Sequence, residues 1–178
     1  MRLRSTAFGL FIPLVVALVF AGCKKESSSP TGPGTGGNGT TGSFTFTMDG
    51  TNYSGTGVAV VDTNTTGSPA YVGTYITTTT PKITVALVIA STTNFPENTD
   101  VSLTGTTAYG FVVLGEPSAP TAMYSTQLPS ASGTMKVTSV TATNVVGTFS
   151  FTAIATPPGT GQKALTNGTF NAVLQYGK

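Results

Sequence analysis

The residues able to do chemistry in this chain are few. Six carboxylates are present (Glu26, Asp49, Asp62, Glu97, Asp100 and Glu116), there is no histidine, and Cys23 is the only cysteine. The absence of imidazole removes the commonest general base, every Ser-His-Asp or Cys-His arrangement, and the usual zinc or copper ligand. Glu97 and Asp100 lie in the segment NFPENTD (94–100), whose Pro, Asn and Asp predict a loop. Paired there, and joined by Asp62 if distant loops meet, they could bind calcium or act as acid and base. A calcium loop supplies several oxygen ligands at tight spacing, however, and Thr99 breaks the series. Two solvated turn residues is the reading the spacing favours, and Asp49 and Asp62 are likewise explained by a hairpin turn and a polar loop.

Nucleophile motifs are missing too. No GxSxG elbow occurs, and Ser132 to Lys136 spans one residue too many for the SxxK spacing. These two would share a strand face, where a lysine on a sheet edge is expected to guard against aggregation. Tryptophan is absent, which argues against a sugar platform of large rings. Tyr71 and Tyr75 share strand parity and could form a small stacking surface, though tyrosine on a half-buried strand ordinarily packs its ring and wets its hydroxyl. The threonine rows Thr45/Thr47 and Thr77 to Thr80 share the layout of flat ice-binding sheets, but threonine is also the ordinary solvent-facing strand residue. The sequence therefore predicts no catalytic residue, no metal ligand and no cofactor, and leaves any ligand-binding residue unknown.

The elements that would position such groups begin with an address. Arg2 and Arg4 precede the apolar run AFGLFIPLVVALVF, followed by the small pair Ala21-Gly22 and then Cys23. Basic, apolar, small is the order of a secretory signal. The run is shorter than the roughly 20 apolar residues a spanning helix needs, and contains Pro13. Residues 24–42, KKESSSPTGPGTGGNGTTG, have no apolar side chain larger than proline. They predict a coil-like tether with a mean reach of about 25 Å. Neither this run nor GTGQKA (159–164) has the spacing of a phosphate loop.

From Ser43 to Lys178 the chain predicts a single all-β domain. Threonine, valine, phenylalanine, tyrosine and isoleucine alternate with small polar residues, and turn clusters interrupt them about every ten residues. SFTFTM puts Phe44, Phe46 and Met48 on one side, and Asp49-Gly50 predicts a type I′ turn. KITVALVIA is apolar on both faces, as a covered central strand would be. GTFSFTA is expected to bury Phe149, Phe151 and Ala153; GTFNAVLQY to bury Phe170, Ala172, Leu174 and Tyr176. The expected fold is an antiparallel β-sandwich of about ten short strands, with a flattened, meander-like barrel as the alternative. The sandwich is preferred because glycine and valine, more than large side chains, fill the middle of the chain.

Charge excludes one class of partner. The formal net charge is +2, but Arg2 and Arg4 lie in the signal, and from Ser43 onward four scattered lysines face five acids with no arginine. No basic face for nucleic acid can be assembled from these.

Two resemblances extend this reading. Phe20-Ala21-Gly22-Cys23 resembles a bacterial lipobox, with Ala21, Gly22 and Cys23 matching its last three places and Phe20 standing where the family has an aliphatic residue. It implies cleavage after residue 22, a diacylglyceryl thioether on Cys23, an acylated (palmitate-type) amino terminus and stable membrane attachment. Lys24 after the cysteine resembles lipoproteins sorted to the outer membrane. The phrases FTFTMDGTNYSGTGVAV, GTMKVTSVTATNVVGTFSFTA and TNGTFNAVLQY are similar to an uncharacterised family of small Bacteroidota-type all-β lipoproteins, for which no functional residues can be carried over. The expected function is a non-enzymatic, lipid-anchored envelope module that contacts the membrane and an envelope protein or glycan. A carrier of a small apolar ligand in a barrel cavity, and a hydrolase using loop carboxylates, are the alternatives.

Overall fold

In the computed structural model, residues 42–61, 70–77, 81–91 and 95–176 are described. The expected signal and tether, with Cys23, and the Asp62 loop lie outside them. Ten strands and no helix occur among the described residues: β1 (Gly42–Met48), β2 (Thr51–Val61), β3 (Ala70–Thr77), β4 (Ile83–Ser91), β5 (Asp100–Ser102), β6 (Ala108–Glu116), β7 (Ala119–Ser125), β8 (Ser132–Val140), β9 (Asn144–Ala155) and β10 (Gln162–Tyr176). The all-β expectation is met. The lengths are less even than the sequence predicts, from three residues in β5 to fifteen in β10.

All ten strands belong to one sheet, in the order β1-β10-β2-β3-β4-β6-β7-β9-β8-β5, with further pairings β1–β2 and β10–β9. Those pairings curl the sheet around one core. The return from β7 to β9 rests on only two residue pairs, Tyr124–Ala155 and Ser125–Ile154, so the roll lacks a continuous ladder at that seam. The Thr156 N–H extends that seam by donating to the Met123 carbonyl at 2.8 Å, while Thr126, 1% exposed, ties the end of β7 to β6: its hydroxyl accepts the Gly110 N–H at 2.8 Å and donates to the Leu103 carbonyl, and its own N–H donates to the Gly110 carbonyl at 2.9 Å.

One pairing between strands is parallel. β1 runs antiparallel to both β2 and β10, and two strands antiparallel to the same neighbour are parallel to each other. Beyond the start of β1 their last residues therefore meet as Val58–Val173 through Val61–Tyr176. The Met48–Thr51 pair closes through Asp49 and Gly50, with φ of 51° and 80°, the two positive angles that a type I′ turn requires.

The core follows the expected parity. Phe44, Phe46, Met48, Ile83, Val85, Leu87, Ile89, Phe149, Phe151, Ala153, Phe170 and Ala172 are all buried in one cluster. The Phe44 ring lies 4.9 Å from Phe149 and 6.2 Å from Phe170, centroid to centroid. These rings share the cluster with Val85, Val112, Val137 and Val145, and glycine makes room for the rings. A Cβ on Gly168 would lie 2.4 Å from the Phe149 ring, and one on Gly147 would lie 2.4 Å from the Phe170 ring. Leu174 is only half-buried, because the β9 pairing ends at Val173–Asn144. The Tyr176 side chain lies outside the described set.

Candidate functional site

The polar side of the alternation forms the site. Register carries one row of polar side chains across six strands: Asp100 opposite Lys136, Lys136 opposite Thr148, Thr148 opposite Thr169, Thr169 opposite Thr45, and Thr45 opposite Ser54. A second row runs beside it through Ser102, Thr134 and Ser150. It reaches the irregularity at Thr166 and Asn167, where β10 shifts register against both neighbours. Asn167 takes a φ of 52°, the left-handed region that asparagine tolerates better than most residues. Between the rows lies an open groove of about 440 Å³, lined by Asp100, Lys136, Thr148, Ser150, Asn167 and Thr169 among others, with buried Met135 and Phe149 also among its lining residues.

Part of this face satisfies itself. The Thr45 and Thr169 hydroxyls are 2.8 Å apart, and the Thr47 hydroxyl donates to Asn52 Oδ1 at 2.7 Å. Towards β5 the Ser102 and Thr104 hydroxyls are 3.0 Å apart and the Ser150 hydroxyl donates to the Leu165 carbonyl at 3.2 Å, which leaves the two charged side chains. Asp100 and Lys136 are direct cross-strand partners, yet the ion pairs among the described residues are Lys82–Glu116 at 2.8 Å and Lys163–Asp49. Their groove therefore presents an unpaired carboxylate, an unpaired ammonium and several hydroxyls.

The two candidate carboxylates, Glu97 and Asp100, take different roles. Glu97 Oε1 accepts the Val140 N–H at 3.1 Å, while the Asn98 N–H donates to the Val137 carbonyl at 2.7 Å. Glu97 thus ties its segment to the edge of β8, and it bridges Val137 in a parallel pairing. Asp100 opens β5 instead of standing in a loop, as the segment's composition predicted. The reason is that β8 offers an unpaired edge that recruits the backbone of 97–102. Lys136 accordingly lies within a paired strand and not on a bare edge. Among the described residues no three His, Cys, Asp or Glu side chains converge, and Asp62 falls outside them.

The other candidates separate further. Asp49 pairs with Lys163, whose pKa is raised first by that hydrogen bond and then by the attraction of the same carboxylate, against a lowering by burial. Ser132 pairs with Thr152, four residues along the strand from Lys136. The register sets Tyr71 opposite Ala90 and Tyr75 opposite Ala86, but their side chains lie outside the described set, as do Thr78 to Thr80. What the sequence reasoning missed was the row itself. Its polar parity is visible in Thr148, Ser150 and Thr152, but which strands stand beside β9 depends on register. Compared with known proteins, the chain matches no family model, no curated protein and no solved structure.

Proposed function

We propose that this chain is a lipid-anchored module of the bacterial cell envelope, held at the outer membrane through Cys23, that binds rather than transforms its partner. The observation that carries this reading is the order Arg2/Arg4, apolar run, Ala21-Gly22-Cys23, followed by a tether free of core-forming side chains. The polar face over β5, β8, β9 and β10 is its contact surface, since it offers many donors and acceptors without a general base beside a nucleophile. A carrier would need a cavity of roughly 300 Å³ or more inside the sheet. Five phenylalanines of the described core, Phe44, Phe46, Phe149, Phe151 and Phe170, occupy that interior, which favours the contact reading over the carrier.

The test is fatty-acid labelling of the full chain in a bacterial host. Wild type should incorporate labelled palmitate and fractionate with membranes, whereas Cys23→Ala should incorporate none and leave uncleaved precursor or released protein. Unchanged label in Cys23→Ala would sink the proposal.

A further inference from the structure

We infer that the groove between the two polar rows holds an extended, β-1,4-linked N-acetylated glycan strand lying across β5, β8, β9 and β10. This rests on the reading of the face as a contact surface and names what it contacts. Adjacent strands of a sheet are about 4.8 Å apart, and an extended β-1,4-linked sugar chain advances by about the same step per residue. Asp100, Lys136, Thr148 and Thr169 follow one another across four adjacent strands, so each successive sugar meets one polar side chain.

Asp100 and Lys136 are not paired with each other or with any other described residue. A carboxylate can accept from two neighbouring sugar hydroxyls, and an ammonium donates to a ring hydroxyl or acetyl oxygen. Hydroxyls and the Asn167 amide both donate and accept, which suits an acetamide group, and the threonine methyls can pack against its methyl. With one carboxylate and one ammonium the groove is neutral, so a neutral polymer fits it better than a polyanion. No exposed ring lines the groove for stacking, and the contact is correspondingly weak. Many copies displayed on one membrane against a repeating polymer compensate through avidity.

Isothermal titration of the acylated full chain in detergent tests this, with tetra-N-acetylchitotetraose as the probe and cellotetraose and the curved maltotetraose for comparison. Saturable binding of the acetylated tetramer is expected, with the other two sugars at least about fivefold weaker. Asp100→Asn, Lys136→Met and Thr148→Val should each weaken it about fivefold or more, the loss of one or two net hydrogen bonds. Thr148→Val keeps the branched strand residue, and an unchanged melting curve shows that it folds. Absence of saturable binding by the folded wild type, equal binding of all three sugars, or wild-type affinity in all three variants overturns the inference. Acylation is read on the same preparation. Acylated protein that ignores the sugar removes the glycan and leaves the anchored module, whereas sugar binding by protein that is never acylated removes the anchor alone.

Discussion

Strands β8 to β10 and the pair β4/β6 share one sheet but not one environment. In β9, Phe149, Phe151 and Ala153 are buried while Thr148 and Ser150 are exposed. In β4, Thr84, Ala86 and Val88 are as buried as Val85, Leu87 and Ile89 on the opposite face, and Phe111 and Val113 of β6 continue that second buried face. The lesson is that one-sided burial leaves a face on which selection can act without touching the core, whereas two-sided burial leaves none. Side chains on the outer face of β9 can be exchanged for contact; those of β4 are held by packing on both sides.

The comparison can be broken at the core side of β10. Gly168→Ala places a methyl against the Phe149 ring, where the available distance is 2.4 Å, and overpacking of this kind costs about 1–3 kcal/mol. Phe149→Leu in the same chain should recover part of that loss, and a double-mutant cycle in urea measures the coupling. If the two changes add without coupling, the ring is not what requires the glycine.

A smaller effect of opposite sign is expected in β4. Thr84 is 2% exposed and its hydroxyl has no hydrogen-bond partner among the described residues. Thr84→Val removes the unsatisfied oxygen at nearly constant shape and should stabilise by about 1 kcal/mol. A lower thermal midpoint in that variant would show that the hydroxyl has a partner.

The smallest effect is at the rim, at Lys163 and Asp49. Because the Lys163 pKa is raised on folding, its contribution is fully present below the unfolded lysine value of about 10.4 and fades as pH rises through the folded one. Both groups are partly exposed, so the term is small. Asp49→Asn should flatten the dependence of the urea midpoint on pH in that alkaline window and leave pH 7 to 9 parallel to wild type. A wild-type slope in the variant would assign the alkaline loss elsewhere.

Much of the fold was legible because period-two alternation depends on burial of one face, which Phe44, Phe46, Phe149 and Phe151 report directly. The two-sided burial of β4 was legible for the same reason, from Ala86 and Val88 standing between Val85, Leu87 and Ile89. The groove was not. Asp100 and Lys136 are 36 positions apart, and their adjacency follows from the recruitment of segment 97–102 to the β8 edge, which composition read as loop. Nor could the sequence say that glycine stands beneath rings, since Gly147 and Phe170 meet only through the β9–β10 pairing.

The central claim, that neighbouring residues of one strand respectively hold the core and leave a face free for the proposed contact, is tested most directly by the urea midpoints of Phe149→Ala and Thr148→Ala. Phe149→Ala should lose about 3–5 kcal/mol, and Thr148→Ala under about 1 kcal/mol. A Thr148→Ala loss as large as that of Phe149→Ala would contradict the account, because it would mean that the polar face is structural and not free for contact.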